Sequence, residues 1–267
     1  MANDRVALIT GASSGIGAAS AARLAAAGFR TFGTSRSDDA EGPEGVTMLQ
    51  LDVTDDASVA SCVEEVLAQA ERIDVLVNNA GFGIFGAGEE TSLDEAHAIF
   101  EVNLFGILRM CRAVLPGMRE RRSGRIINIA SGAGIVGVPF EALYSATKFA
   151  VMGMTESMRL ELKPFDVHVC SVDPGFTQTN FEEAGRLPAE PIADYDEGRE
   201  AFLESVRKHF EEGLSPDDVA AAVVHAATTK RPAVHDSVGP DTVLAEIGRR
   251  FMPRGVLEKI AADKFGQ

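Results

Sequence analysis

The glycine-rich segment near the N-terminus constrains the fold more strongly than any other feature of this sequence. An apolar run at residues 5–10 (RVALIT) leads directly into the loop GASSGIG at 11–17, and an alanine-rich helical segment follows. Glycines let a backbone turn tightly and approach a pyrophosphate closely, and the unpaired N–H groups at a helix start attract anions. The order of strand, glycine loop and helix therefore predicts a dinucleotide-binding unit.

The rest of the chain continues this alternation of strands and helices. Near-continuous apolar runs, typical of parallel strands buried on both faces, lie at residues 5–10, 30–35, 46–51, 73–78, 125–130 and 166–172, with a shorter candidate at 233–235. Helical patterns lie at 15–28, 55–70, 94–121 and 142–163. This alternation predicts an α/β fold of the Rossmann type, a doubly wound parallel sheet with helices on both faces.

The length of 267 residues fits one catalytic domain that spans the whole chain. The segment at 176–213 contains glycine, proline, clustered acids and phenylalanines but no strand pattern. An insertion of this kind after a central strand is typical of a substrate-binding lid. A C-terminal extension at about 240–267 contains amphipathic helical patterns, which could pack on the core or on a neighbouring subunit.

Composition excludes several classes of protein. A net charge of −15 argues against nucleic acid or an anionic membrane as a partner. No apolar run approaches the roughly 18 residues of a membrane-spanning helix, and the first residues are too strand-like for a signal peptide. We therefore expect a cytoplasmic protein. Three separated cysteines and five scattered histidines lack the spacing of metal ligands or of a disulfide framework, so no metal is expected.

The end of the second predicted strand bears on the choice of cofactor. A site selective for NAD usually places an acid there, against the ribose 2′-hydroxyl. This chain has Thr34, Ser35 and Arg36 instead. A guanidinium can bind a 2′-phosphate through two charge-assisted hydrogen bonds, so NADP(H) is predicted and NAD(H) is less favoured. The alternative is an ordinary surface arginine in a loop.

The spacing T-G-x-x-x-G-x-G at residues 10–17 resembles that of the short-chain dehydrogenase/reductase family. Four further segments match the family in the same order: NNAG at 78–81, Ser131 after a strand, YSATK at 144–148 and DPGFTQT at 173–179. The match covers roughly residues 5–235. The segments TSR at 34–36 and GVPF at 137–140 look like the hydroxysteroid and retinol dehydrogenase branch.

The resemblance implies a set of cofactor-binding residues. Asp52 would contact the adenine, although it could equally cap the helix that begins near Asp55. Asn78 could brace the sheet instead of touching the cofactor. The full predicted set is Gly11, Ser13, Ser14, Gly15, Ile16, Gly17, Ser35, Arg36, Asp52, Val53, Asn79, Ala80, Gly81, Tyr144, Lys148, Pro174, Gly175, Thr177 and Thr179.

The resemblance also implies catalytic roles for four residues. Tyr144 and Lys148 stand at helix positions i and i+4 and so share one face, a pairing that alone most often marks an exposed helical pair. By resemblance, Tyr144 is the general acid and base, Ser131 orients the carbonyl oxygen, and Lys148 binds the ribose and lowers the tyrosine pKa. Asn103 would complete a proton relay through water. Ser131 could instead be a turn residue, and Asn103 a satisfied buried amide.

The implied reaction is hydride transfer between NADP(H) and a hydrophobic ketone or secondary alcohol. A dehydratase or epimerase on the same scaffold and a non-catalytic NADP-sensing protein are the alternatives. Family members commonly form dimers or tetramers through the two long helices, here near 94–121 and 142–163, so a homodimer or homotetramer is expected. The predicted substrate wall consists of Phe82, Ser131, Val136, Phe140, Tyr144, Phe176 and Phe181, with Val138 and Leu143 beside them.

Overall fold

A seven-stranded parallel sheet forms the centre of the computed structural model, which describes residues 5–181 and 185–266. The strand order is β3-β2-β1-β4-β5-β6-β7, with every neighbouring pair parallel. This order confirms the predicted doubly wound sheet. The strands are β1 (Val6–Ile9), β2 (Arg30–Ser35), β3 (Val46–Gln50), β4 (Val75–Asn78), β5 (Gly124–Ile129), β6 (Val167–Pro174) and β7 (His235–Val238).

Helices cover both faces of the sheet. Successive strand residues point to opposite faces, so Leu8 belongs to one buried apolar cluster and Ile9 to the other. In the described chain the helices are α1 (Gly15–Ala26), α2 (Asp56–Ala70), α3 (Leu93–Phe100), α4 (Gly106–Arg121), α5 (Ala142–Leu162), α6 (Asp196–Glu211), α7 (Pro216–Thr228), α8 (Pro240–Phe251) and α9 (Arg254–Lys264).

The two clusters account for the three cysteines. Cys62 and Cys111 lie among side chains of α2, α4 and α5 on one face, and Cys170 lies with those of α1 and α7 on the other. All three thiols are buried, and burial raises the pKa of Cys62 to about 11. They therefore act as small apolar packing residues.

The predicted long helix at 94–121 is interrupted. A π-helical turn, Glu101–Phe105, joins α3 to α4 and contains the buried Asn103. Such turns are uncommon and often occur at functional sites. Gly106 follows the turn at a point of close packing, where a Cβ would lie 2.8 Å from Val53 Cγ2.

The predicted lid contains a helix. Apart from residues 182–184, which lie outside the described chain, it includes a 3-10 turn at Ala193–Tyr195 and helix α6. The C-terminal extension forms α8 and α9. Within the described residues, none of the helices has the length and apolar character needed to cross a membrane, and no group of histidine, cysteine or acidic side chains could hold a metal ion.

Candidate active site

A cavity of about 860 Å³ opens at the carboxyl ends of the strands. Its wall contains the glycine loop after β1, the residues that follow β2, β4, β5 and β6, the first turns of α5, and parts of α8 and α9. In open α/β sheets the strand order reverses at a crevice where ligands bind. Here the reversal lies between β1 and β4, and both strand ends contribute to the wall.

The glycine loop is shaped for close approach. Gly15 has a φ of +54°, and a Cβ there would lie 3.1 Å from Thr179 Cγ2. A Cβ at Gly17 would lie 2.0 Å from the carbonyl oxygen of Gly11, so this glycine lets α1 pack against the loop and lies behind the wall, not on it. Helix α1 begins at Ser14 without a side-chain cap. Its first N–H groups are therefore available to an anion.

The NNAG segment braces the loop. The Thr10 hydroxyl accepts hydrogen bonds from the backbone N–H groups of Asn79 (2.9 Å) and Ala80 (3.0 Å). The Asn79 amide donates to the carbonyl oxygens of Thr10 and Gly11. The Asn78 amide donates to Asn128 on β5 at 2.9 Å, inside the sheet. Of the two roles open for Asn78, the structure favours the bracing one.

The predicted 2′-phosphate contact lies at the cofactor end of the cavity. Ser35 and Arg36 both line the wall, and the exposed Arg36 guanidinium makes no hydrogen bond or ion pair within the described residues. Asp52 also lines the wall. Its carboxylate accepts hydrogen bonds from the N–H and hydroxyl of Thr54, which hold its pKa below the ordinary value. The capping alternative for Asp52 is wrong, because the Asp55 carboxylate caps α2.

The other predicted cofactor residues surround the same cavity. Pro174 ends β6, and Gly175, Thr177 and Thr179 follow it; the Thr177 hydroxyl donates to the Gly175 carbonyl at 3.0 Å. This segment faces the glycine loop across the cavity. The predicted cofactor residues that line the wall are Gly11, Ser13, Ser14, Gly15, Ile16, Ser35, Arg36, Asp52, Val53, Asn79, Ala80, Gly81, Tyr144, Lys148, Pro174, Gly175, Thr177 and Thr179.

Tyr144, Lys148 and Ser131 meet at the centre of the wall. Tyr144 and Lys148 lie on α5 and are 8% and 7% exposed, so the pair is not an exposed helical one. Lys148 Nζ donates to the Ile129 carbonyl at the end of β5 (2.8 Å) and lies 5.5 Å from the centre of the Tyr144 ring. Ser131 follows β5, and its hydroxyl lies beside the phenol.

The protein's own groups favour a protonated tyrosine. Burial, followed by the charge of Glu141, raises the pKa of Tyr144, and Ser131 opposes this shift. The expectation that the lysine lowers this pKa is therefore not met by the chain alone. Burial lowers the pKa of Lys148 to about 8, and Asp173 opposes that shift. Near neutral pH the phenol can donate a proton, and the lysine remains mainly cationic.

The side chain of Asn103 is fixed by three hydrogen bonds. Its side-chain oxygen accepts from Phe82 N at 3.1 Å, and its amide nitrogen donates to the Phe82 carbonyl (2.9 Å) and to the Thr147 hydroxyl (3.2 Å). The side chain is a satisfied buried amide that fixes the loop after NNAG. The relay through water stays a prediction.

Most of the residues predicted for the substrate wall line the cavity. Phe82, Val136, Val138, Phe176 and Phe181 line the cavity. Phe140 and Leu143 are the exceptions, since neither belongs to the described wall; the Phe140 ring packs against Phe202 (5.7 Å between centres) and Tyr195 (6.4 Å).

Sequence analysis missed several residues of the wall. The C-terminal helices contribute apolar side chains, and five charged residues that were not predicted also line the cavity: Glu101, Glu141, Arg186, Asp241 and Lys264. The amphipathic pattern at 240–267 was the available signal for the helices. The apolar residues contributed from α6 onwards are Phe210, Leu244, Ala245, Met252, Leu257, Ile260, Ala261 and Phe265.

The fold is of the Rossmann type, and the cavity lies at the carboxyl ends of its strands, where open α/β sheets bind ligands. The chain matches the short chain dehydrogenase family model over residues 5–188 and belongs to that family. It is an oxidoreductase acting on CH–OH groups.

Curated relatives extend the match over most of the chain. The 3-ketodihydrosphingosine reductase of Bacteroides thetaiotaomicron is 41% identical over 95% of this chain and 95% of its own. Human retinol dehydrogenase 8 is 38% identical over 85% of this chain and 79% of its own. Rat estradiol 17-beta-dehydrogenase 1 is 36% identical over 86% of this chain and 72% of its own.

Solved structures agree with the fold and with a dinucleotide cofactor. A short-chain dehydrogenase from Streptomyces avermitilis superposes with a TM-score of 0.84 at 36% identity, covering 96% of this chain and 95% of its own. A 3-ketoacyl-(acyl-carrier-protein) reductase from Brucella melitensis was solved with NADH (TM-score 0.77, 26% identity, 89% and 98% covered). A serine dehydrogenase was solved with NADP+ (TM-score 0.76, 29% identity, 89% and 95% covered).

Proposed function

We propose that this protein is an NADP(H)-dependent oxidoreductase that interconverts a hydrophobic ketone and a secondary alcohol, with Tyr144 as general acid and base. One observation carries the proposal. Tyr144, Ser131 and Lys148 lie in the same cavity as the glycine loop, so a dinucleotide held on that loop can bring its nicotinamide to the tyrosine. The uncapped start of α1, whose first N–H groups are available to an anion, fits a bound pyrophosphate.

The chain's residues have distinct tasks in this reaction. The cofactor supplies the hydride that adds to the carbonyl carbon. Ser131 donates a hydrogen bond to the carbonyl oxygen as negative charge develops there. Tyr144 then transfers its phenolic proton to that oxygen, and the alcohol results. Lys148, anchored to the Ile129 carbonyl, supports the ribose and stabilises the phenolate that is left.

The raised pKa of Tyr144 suits the direction of reduction, because an acid must arrive protonated. Oxidation of the alcohol needs the phenolate instead. The ammonium of Lys148 and the positive charge of an oxidised nicotinamide both favour that form. Reduction is therefore the direction that the protein's own groups support near neutral pH.

Arg36 supports NADP(H) over NAD(H). Its guanidinium lies at the end of β2 without a partner in the described chain, and a 2′-phosphate would supply one. An apolar ketone is supported by the phenylalanine and valine side chains of the wall. Three relatives also carry names of enzymes for retinol, estradiol and 3-ketodihydrosphingosine.

The test is reduction of a panel of apolar ketones by purified protein, followed by the absorbance of NADPH or NADH. We expect turnover with NADPH and a loss of about 100- to 10,000-fold in Tyr144→Phe, the usual range for a removed acid–base group. Dissociation constants for NADPH should stay within a few-fold in that variant. Equal turnover in the variant would reject Tyr144 as the acid, and faster turnover with NADH would reject the cofactor assignment.

A further inference from the structure

Glu141 is a buried acid in the catalytic cavity that the reaction described above does not use. It immediately precedes helix α5, three positions before Tyr144, and is 6% exposed. Its backbone is fixed, because its N–H donates to the Val138 carbonyl (3.2 Å) and its carbonyl accepts from Ser145 N (2.7 Å). The residue therefore stands at a defined position in the wall.

The Glu141 carboxyl has no hydrogen-bond or ion-pair partner within the described residues. Glu90, the other buried glutamate, is the useful contrast: its oxygens accept from Ala87 N and Ile192 N and pair with Arg199. A buried glutamate that serves the fold resembles Glu90. Burial without such partners raises the pKa of Glu141 to about 8, and unpaired acids of this kind are concentrated at functional sites.

The positive groups of the wall are not directed at Glu141. Lys148 donates to the Ile129 carbonyl, and the Arg186 guanidinium stands 4.3 Å from the centre of the Phe82 ring. Tyr144 is the titratable group on which Glu141 acts, since the charge of Glu141 affects the phenol. A ligand ammonium placed here would favour the ionised form of Glu141 and would supply the partner that the described wall lacks.

The other acids of the wall already have partners. Asp52 accepts from Thr54, Glu101 pairs with Arg109, and Asp241 pairs with Lys264. Glu141 is thus the unpartnered acid of the described wall, and it lies closest in sequence to the general acid.

We propose that Glu141 binds a protonated amine on the carbon next to the reacting carbonyl, so that apolar 2-amino ketones and the matching 2-amino alcohols are the substrate class of this cavity. This inference rests on the proposed function. Glu141 and Tyr144 line the same cavity, and the charge of Glu141 acts on the phenol; this proximity suits a carbonyl oxygen at Tyr144 and an amine at Glu141 on adjacent carbons. The apolar side chains of α8 and α9 would then contact the hydrocarbon chain.

The test compares two ketones of equal chain length, one with a 2-amino group and one without, in wild type and in Glu141→Gln. The amide keeps the volume and removes the negative charge. We expect wild type to prefer the amino ketone in kcat/KM, and we expect Glu141→Gln to lose about 10- to 100-fold on that ketone alone, the range for one charge-assisted hydrogen bond. Glu161→Gln, exposed on the same helix, is the matched control and should behave as wild type.

Binding of the two matching alcohols, measured by calorimetry in the presence of NADP+, gives a readout that needs no turnover. A preference of wild type for the amino alcohol that disappears in Glu141→Gln would support the inference. If such a preference is found but no ketone is reduced, only the proposed reaction fails. Equal losses on both ketones and both alcohols, or no preference for the amine in wild type, would overturn the inference. A melting temperature for Glu141→Gln at or above that of wild type would show that the variant is folded.

Discussion

At the scale of single residues, the two residues just before α5 differ in their position: Glu141 lines the cavity and Phe140 does not. Phe140 has a φ of 58°, in the left-handed region that is uncommon for residues other than glycine. Its ring points to Phe202 and Tyr195, while Glu141 lines the wall. From the sequence we predicted Phe140, and not Glu141, as a wall residue, because an apolar wall was expected. The error arises from a backbone conformation that the local sequence does not signal.

The buried Glu141 carboxyl also predicts how the stability of the protein changes with pH. Its pKa is raised from the ordinary glutamate value of about 4.5 to about 8 in the folded protein, so the folded state binds a proton that the unfolded state has released. This contribution to stability is fully present below about pH 4.5 and is lost as the pH rises towards about 8. The neighbouring titratable groups of the wall change little over this range. Tyr144 stays protonated, and Lys148, with its pKa near 8, begins to titrate only at its upper end.

We therefore expect the free energy of unfolding of wild type, relative to Glu141→Gln, to fall as the pH rises through this range. Urea unfolding at several pH values measures it, with a ceiling of about 1.4 kcal/mol for each unit of pKa difference. Glu161→Gln, exposed on the same helix, is the matched control. A flat difference for Glu141→Gln would mean that the carboxyl is ionised in the folded protein.

We predict that Arg36 determines the preference for NADPH over NADH, and this prediction is tested by cofactor binding. Arg36→Ala removes the guanidinium that would pair with the 2′-phosphate, so the dissociation constant for NADPH should rise by about 10- to 100-fold while that for NADH changes little. Fluorescence titration of the two reduced cofactors measures both constants. Arg112→Ala, exposed on α4, is the control. An equal rise in the dissociation constants for NADPH and NADH would mean that Arg36 has a structural role or contacts a part that both cofactors share.

At the scale of elements, the sequence predicted the sheet well because buried parallel strands are apolar on both faces. The predicted strand at 30–35 coincides with β2, and the others agree within one or two residues for most ends. The π-helical turn at Glu101–Phe105 was not predictable. It depends on contacts of Asn103 with Phe82 and Thr147, which are distant in sequence, whereas helical periodicity records only neighbours three and four residues apart.

Asn103 provides the prediction at this scale. Asn103→Ala removes the partners of the Phe82 backbone N–H and carbonyl, and leaving a buried polar group unpaired typically lowers stability by about 1–3 kcal/mol. Urea unfolding should show a loss in this range. Asn103→Asp keeps an acceptor for Phe82 N but places a buried carboxylate oxygen against the Phe82 carbonyl, so it should lose at least as much. Unchanged stability in Asn103→Ala together with lost turnover would instead favour the proton relay.

At the scale of the whole molecule, the sequence left open whether the C-terminal extension packs on its own core or on a neighbour. In the structure it packs on its own chain. Arg249 donates to the Ile135 carbonyl at 3.3 Å, and the Ser205 hydroxyl donates to the Lys264 carbonyl at 2.9 Å. Phe265 is buried beside Phe202. Amphipathicity alone could not distinguish these cases, because both need one apolar face.

Large apolar side chains are exposed on the π turn, α4 and α5, as they are on α8 and α9. On the first three elements, Phe105, Leu108 and Phe149 are 44%, 39% and 38% exposed, and burying such side chains stabilises association. We therefore propose that the π turn, α4 and α5 form the interface of a homodimer or homotetramer.

Light scattering should give two or four times the monomer mass for wild type. A Leu108→Glu/Phe149→Glu double variant should give the monomer mass, since two buried carboxylates per subunit would face an apolar interface. Leu93→Glu, on the more exposed start of α3, should leave the mass unchanged. Dissociation by Leu93→Glu, or a wild-type monomer, would exclude this surface as the interface.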